Sequence, residues 1–132
     1  MTIVETASSP QHLMRIFAER AASGDSAGLL ALYESSAVFE PQLGVVLRGH
    51  EEIREALEGL AAMKPRIEYN GAAAVVIVDD IALVSNAWTM SALLPDGSMH
   101  REGGISADVL RRQDDARWLV LIDQPRGATL AS

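Results

Sequence analysis

Residues 66–123, RIEYNGAAAVVIVDDIALVSNAWTMSALLPDGSMHREGGISADVLRRQDDARWLVLID, decide the fold. Four β-patterned runs stand out: Arg66–Val78, Ile81–Leu94, Ser98–Gln113 and Arg117–Asp123. Asp79-Asp80, Pro95-Asp96-Gly97 and Asp114-Asp115 separate them, and these are turn residues, so a four-stranded antiparallel meander is expected. Along Ile81–Leu94 one face carries Ile81, Leu83, Ala87 and Leu93, and the other Val84, Trp88, Met90 and Leu94. A sheet with one solvated face alternates apolar with polar, and this strand does not. Helices would cover one face and a second copy of the chain the other, giving a homodimer through the sheet face. The alternative is a monomer with an exposed apolar sheet.

Upstream the period changes to that of helices. Leu13, Ile16, Phe17 and Ala21 mark one helix face, with Ser9 as cap, Pro10 first and Gly24 last. Asp25 is placed to cap a short second helix carrying Leu29, Leu32 and Tyr33. Ala37–Pro41 and Val45–Arg48 read as short strands about Gly44. A third helix runs from Gly49, with Glu51 and Glu52 in its first turn, where the dipole favours acids. It buries Ile53, Ala56, Leu57, Leu60 and Ala61, and Pro65 stops it. Helices first and strands after define an α+β chain, the helices packed on one sheet face.

Composition bounds the function. The chain has 132 residues, 48% of them apolar, with a formal net charge of -7. That suits one domain with a core and argues against nucleic acid or an anionic membrane surface as partner, since both need clustered Lys and Arg. There is no cysteine, so disulfides and thiol nucleophiles are excluded. MTIVETASS, residues 1–9, lacks the basic flank and apolar core of a signal peptide and reads as a frayed tail. Residues 10–127 form a single domain, 128–132 a second tail, and the expected location is cytoplasmic. His12, His50 and His100 have no metal-ligand spacing, and no dinucleotide or phosphate-loop fingerprint occurs, so no cofactor is expected.

The tracts ASGDSAGLLALYESSAVFEP (22–41) and LRGHEEIREAL (47–57) resemble the opening half shared by ketosteroid isomerases and SnoaL-like polyketide cyclases. ADVLRRQDDARWLVLIDQPRG (107–127) resembles the close of small bacterial relatives. Both belong to the nuclear-transport-factor-2-like superfamily. The resemblance implies three helices in a curved, mainly antiparallel sheet of four to six strands, a cone-shaped α+β barrel with a deep cavity, in a dimer. It also implies site residues. Glu40-Pro41 matches the isomerases' base, with one residue deleted; Asp108 matches their oxyanion-hole acid; Phe17 stands where they carry a tyrosine. Glu40 ends a strand beside a proline, where an exposed loop carboxylate is the commonest outcome, and Asp108 also reads as a structural partner of Arg48 or Arg101. Gly104, Ser106, Asp108 and Leu110 share one strand face, joined by Glu102 and His100 unless Gly103-Gly104 hides a bulge.

Phe17, Tyr33, Phe39, Leu57, Met63, Trp88, Met90, Trp118 and Ile122 are candidates for the cavity wall, with His100 at its mouth and Asp123 and Gln124 at its rim. The function implied is binding of a hydrophobic small molecule, with cofactor-free isomerase, cyclase or dehydratase chemistry through Glu40 and Asp108. Phe17 in place of a donor supports instead a binding protein without chemistry. The two-faced apolar strand supports a dimeric assembly module.

Overall fold

A computed structural model describes residues 5–127. The expected tails at 1–4 and 128–132 lie outside these residues. Among the described residues the elements run α1 (Pro10–Ser23), α2 (Ser26–Leu30), β1 (Tyr33–Gln42), β2 (Val45–Arg48), α3 (Gly49–Ala62), β3 (Arg66–Val78), β4 (Ile81–Leu93), β5 (Met99–Ile105), β6 (Asp108–Arg112) and β7 (Trp118–Asp123). They form one open sheet in the order β2-β1-β7-β6-β4-β3, with β5 also paired to β4. All pairings are antiparallel except β1 with β7, which run parallel. No helix among the described residues is long and apolar enough to cross a membrane.

Local chemistry sets the helix ends. The Ser9 hydroxyl accepts the His12 N–H at 3.0 Å, and Gly24 closes α1 in the left-handed conformation (φ 76°). Asp25 accepts the Gly28 N–H at 2.8 Å to start α2. Ser9→Ala is expected to cost about 1 kcal/mol, read as a lowered urea midpoint at unchanged slope. Ala7 is buried, and its carbonyl accepts the Trp118 N–H at 2.9 Å.

The second helix ends at Leu30, so Leu32 and Tyr33 are not helical, and Tyr33 opens β1. The reason is tertiary: Tyr33 pairs with Val120 of β7, and the Val120 N–H donates to Leu32 O at 2.8 Å.

The sheet curves through irregularities in its ladders. The β3–β4 register shifts by two residues between Asn70 and Ala74, where Gly71 takes a φ of 83°. The third expected strand divides at Ser106–Ala107 into β5 and β6, yet both keep one register against β4. Gly103-Gly104 therefore hides no bulge, and Glu102, Gly104, Ser106 and Asp108 share the concave face. The helices fill this concavity, with Leu13, Ile16, Leu29, Ile53, Leu57, Val84, Leu110 and Trp118 in the core.

Candidate functional site

Between the helices and the concave sheet lies a cavity of about 300 Å³. Its wall is mostly apolar and includes Phe17, Tyr33, Phe39, Leu57, Met63, Trp88 and Met90. Helices α1 and α3 add Leu13, Met14, Ala56 and Leu60, and β3 adds Ile67 and Tyr69. The polar lining consists of Tyr33, Tyr69, Glu102, Ser106, Asp108, Asp123 and Arg126. Among the described residues, no three His, Asp or Glu side chains gather as a metal site.

Two carboxyl groups meet at the inner end. Asp108 opens β6 and Asp123 closes β7, side by side on neighbouring strands. Burial lifts the Asp108 pKa; hydrogen bonds from Asp123, the Gln124 N–H (2.9 Å) and the Ser106 hydroxyl pull it the other way. Burial, then the Asp108 charge, lifts Asp123 well above the ordinary carboxylate value. Two adjacent desolvated carboxyls cannot both ionise cheaply, so the pair holds a proton above the ordinary carboxylate range. Both residues are half-buried on the cavity wall, and burial is the largest cause of each shift.

Tyr33 positions the pair. Its hydroxyl donates to Asp123 Oδ2. Its ring packs between Phe17 (centroids 6.5 Å apart) and Phe39 (6.2 Å), and its carbonyl accepts from His50 Nε2 at 2.7 Å. Burial, then the Asp123 charge, raises the Tyr33 pKa, so the phenol stays a donor. Tyr69 donates to Met14 O at 3.0 Å, and burial raises its pKa too.

Several expected positions fall elsewhere. Glu40 does not reach the cavity: Phe39 and Pro41 line it, and strand alternation turns Glu40 outward. There it accepts from Gln124 Nε2 at 2.7 Å and, at 3.3 Å, from the Gly44 N–H. Gln124 is committed to Glu40 by its side chain and to Asp108 by its backbone, and lines nothing. Ile122 points out and is 41% exposed. The cause is a bulge at Leu121: Val109 pairs with Ile122 but Leu110 with Val120, so Val120 and Asp123 both face inward. Trp118 is buried, but it lies roughly 16 Å up β7 from Asp123, in the core beyond the cavity. His100 shares the concave face but donates to Glu102 Oε2 at 2.7 Å instead of lining the wall. Asp108 has neither Arg48 nor Arg101 as partner; its partners are Asp123, Ser106 and Gln124.

Solved structures share this architecture. A candidate calcium/calmodulin-dependent protein kinase II association domain from Xanthomonas campestris superposes with a TM-score of 0.77 at 20% identity, covering 94% of each chain. A candidate scytalone dehydratase from Novosphingobium aromaticivorans gives 0.78 at 13% identity, over 86% of this chain and 77% of its own. A nuclear-transport-factor-2-like superfamily protein from Salmonella enterica gives 0.74 at 15% identity, over 85% and 83%. No protein-family model and no curated protein matches the sequence. The chain has the nuclear-transport-factor-2-like fold, the curved α+β cone of these proteins.

Proposed function

We propose that the cavity binds a hydrophobic, carbonyl-bearing small molecule and that Asp108 and Asp123 perform acid–base chemistry on it, as in an isomerase, cyclase or dehydratase. The observation that carries this is a pair of desolvated carboxyls, Asp108 and Asp123, side by side on the wall of a mostly apolar cavity, with burial raising the pKa of both. Asp108, supplied with hydrogen bonds as an anion, takes a proton from the carbon beside the carbonyl. The C–H electrons move into an enolate, whose oxygen accepts the Asp123 proton. Returning a proton to a different carbon isomerises the molecule; expelling a β-hydroxyl as water dehydrates it. A fold relative is described as a scytalone dehydratase candidate, in keeping with the second outcome.

Deuterium wash-in tests the reading without the natural substrate. The protein in D2O should exchange the C2 protons of 1-tetralone, followed by proton NMR, faster than buffer does. Binding of the ketone with no exchange would leave the second reading, a carrier without chemistry. That reading draws on the two phenols, whose hydroxyls are spent on Asp123 and Met14.

The convex sheet face supports a homodimer. Val76, Leu83, Val109 and Ile122 are successive cross-strand partners across β3, β4, β6 and β7. Leu83→Glu is expected to halve the mass seen by light scattering and leave circular dichroism unchanged. A wild-type protein already at monomer mass would end the dimer proposal.

A further inference from the structure

Arg126 takes no part in this chemistry, yet it lines the cavity, and it is the one cationic side chain among the described residues that do. It follows β7 on a segment that Gly104 admits: a Cβ at residue 104 would stand 3.1 Å from the Pro125 carbonyl oxygen. That carbonyl accepts the Trp88 indole N–H at 2.8 Å, which fixes the segment against β4. The Arg126 guanidinium then lies over the Trp88 ring, 5.8 Å from its centroid. Its Nε donates to Pro41 O at 3.4 Å and its Nη2 to Glu102 Oε1 at 3.1 Å. Nη1 makes no hydrogen bond among the described residues, so one side of the fork remains unused.

Exposure marks this end as the mouth. The Arg126 and Glu102 side chains are 33% and 31% exposed, against 1% for Tyr33 at the inner end. The other ionisable carboxyls on the wall, Asp108 and Asp123, repel an anion from the inner end. At the mouth, by contrast, a carboxylate meets a guanidinium whose Nη1 is unpaired among the described residues, beside an indole. Glu102 keeps its hydrogen bond from His100 when Arg126 turns towards a ligand, so its carboxylate is not left without a donor. An ammonium group gains little there, because Glu102 already has two donors.

We propose that Arg126 is a specificity-determining residue, and that the cavity takes a hydrophobic molecule carrying a carboxylate at its mouth end. This rests on the reading that the cavity holds an apolar small molecule, and adds the class: a hydrophobic carboxylic acid. The test uses an isosteric pair, 2-naphthoate and 2-naphthamide, titrated into the full chain by calorimetry. The carboxylate should bind about tenfold more tightly, a margin that falls with added salt. Arg126→Gln should bring naphthoate to the naphthamide affinity and leave naphthamide unchanged, whereas Arg126→Lys keeps part of the margin. Equal wild-type affinities would overturn this proposal and leave cavity binding standing. An equal loss of both probes in Arg126→Gln would overturn it too, making Arg126 a structural strap. Failure of both probes to bind wild type would remove the cavity-binding reading and this one with it.

Discussion

Asp108→Asn is expected to slow deuterium wash-in at 1-tetralone by about 10²–10⁴-fold, the usual contribution of a positioned general base. The change is close to isosteric. The amide oxygen that replaces the Asp108 carboxylate oxygen still accepts the Gln124 N–H that holds the start of β6 to the end of β7, so the fold should survive. What disappears is the carboxylate on the wall that is both hydrogen-bonded as an anion and adjacent to a proton donor. Glu40→Gln is the informative partner variant. The resemblance to ketosteroid isomerases assigns the base to Glu40, whereas the alternation of Phe39, Glu40 and Pro41 turns it away from the cavity. Glu40→Gln should therefore leave exchange unchanged. If Glu40→Gln abolished exchange and Asp108→Asn did not, the assignment would have to be reversed. Unchanged circular dichroism in both variants guards against misreading an unfolded protein.

This contrast shows where the sequence was legible. Turn chemistry located the ends of the meander: Asp79-Asp80, Pro95-Asp96-Gly97 and Asp114-Asp115 each fall between strands. Ser9, Gly24 and Asp25 located helix ends because caps are local hydrogen bonds. Leu29, Leu32 and Tyr33 fit a helical period, but Tyr33 opens β1 because its backbone pairs with Val120 of β7, far along the chain. The bulge in β3 has a local sign in Gly71; the bulge at Leu121 has none, since leucine forms it without special φ. That silent bulge reverses the parity of the last strand, swinging Asp123 in and Ile122 out. Counting alternate residues from Trp118 puts the wrong side chain in the cavity. The strand face that Asp108 occupies was legible because one register holds from Met99 to Arg111. The net charge of -7 gave no hint of Arg126, whose importance is positional.

Asp123→Asn should make the protein more stable than wild type, by a margin that widens as pH rises. Asp123 has a folded-state pKa raised well above its ordinary 3.8, so below that ordinary value neither state is penalised. Above it the unfolded chain releases a proton that the native pair retains. Wild-type stability then falls by as much as about 1.4 kcal/mol per pH unit for one such group, until the folded pKa is passed. Asparagine does not titrate, and it reproduces the protonated acid: its amide N–H donates to Asp108, and its carbonyl accepts the Tyr33 hydroxyl. Glu34, held below its ordinary value by hydrogen bonds from Arg111, gives the opposite slope but is common to both proteins and cancels. Urea midpoints at pH 4.5, 6 and 7.5 supply the comparison, and a difference constant across that range would mean that Asp123 titrates normally. The same variant should lose exchange activity, because the retained proton is the one the enolate oxygen accepts. A residue that costs stability as the pH rises, and whose removal strengthens the fold while abolishing turnover, is held by chemistry and not by packing.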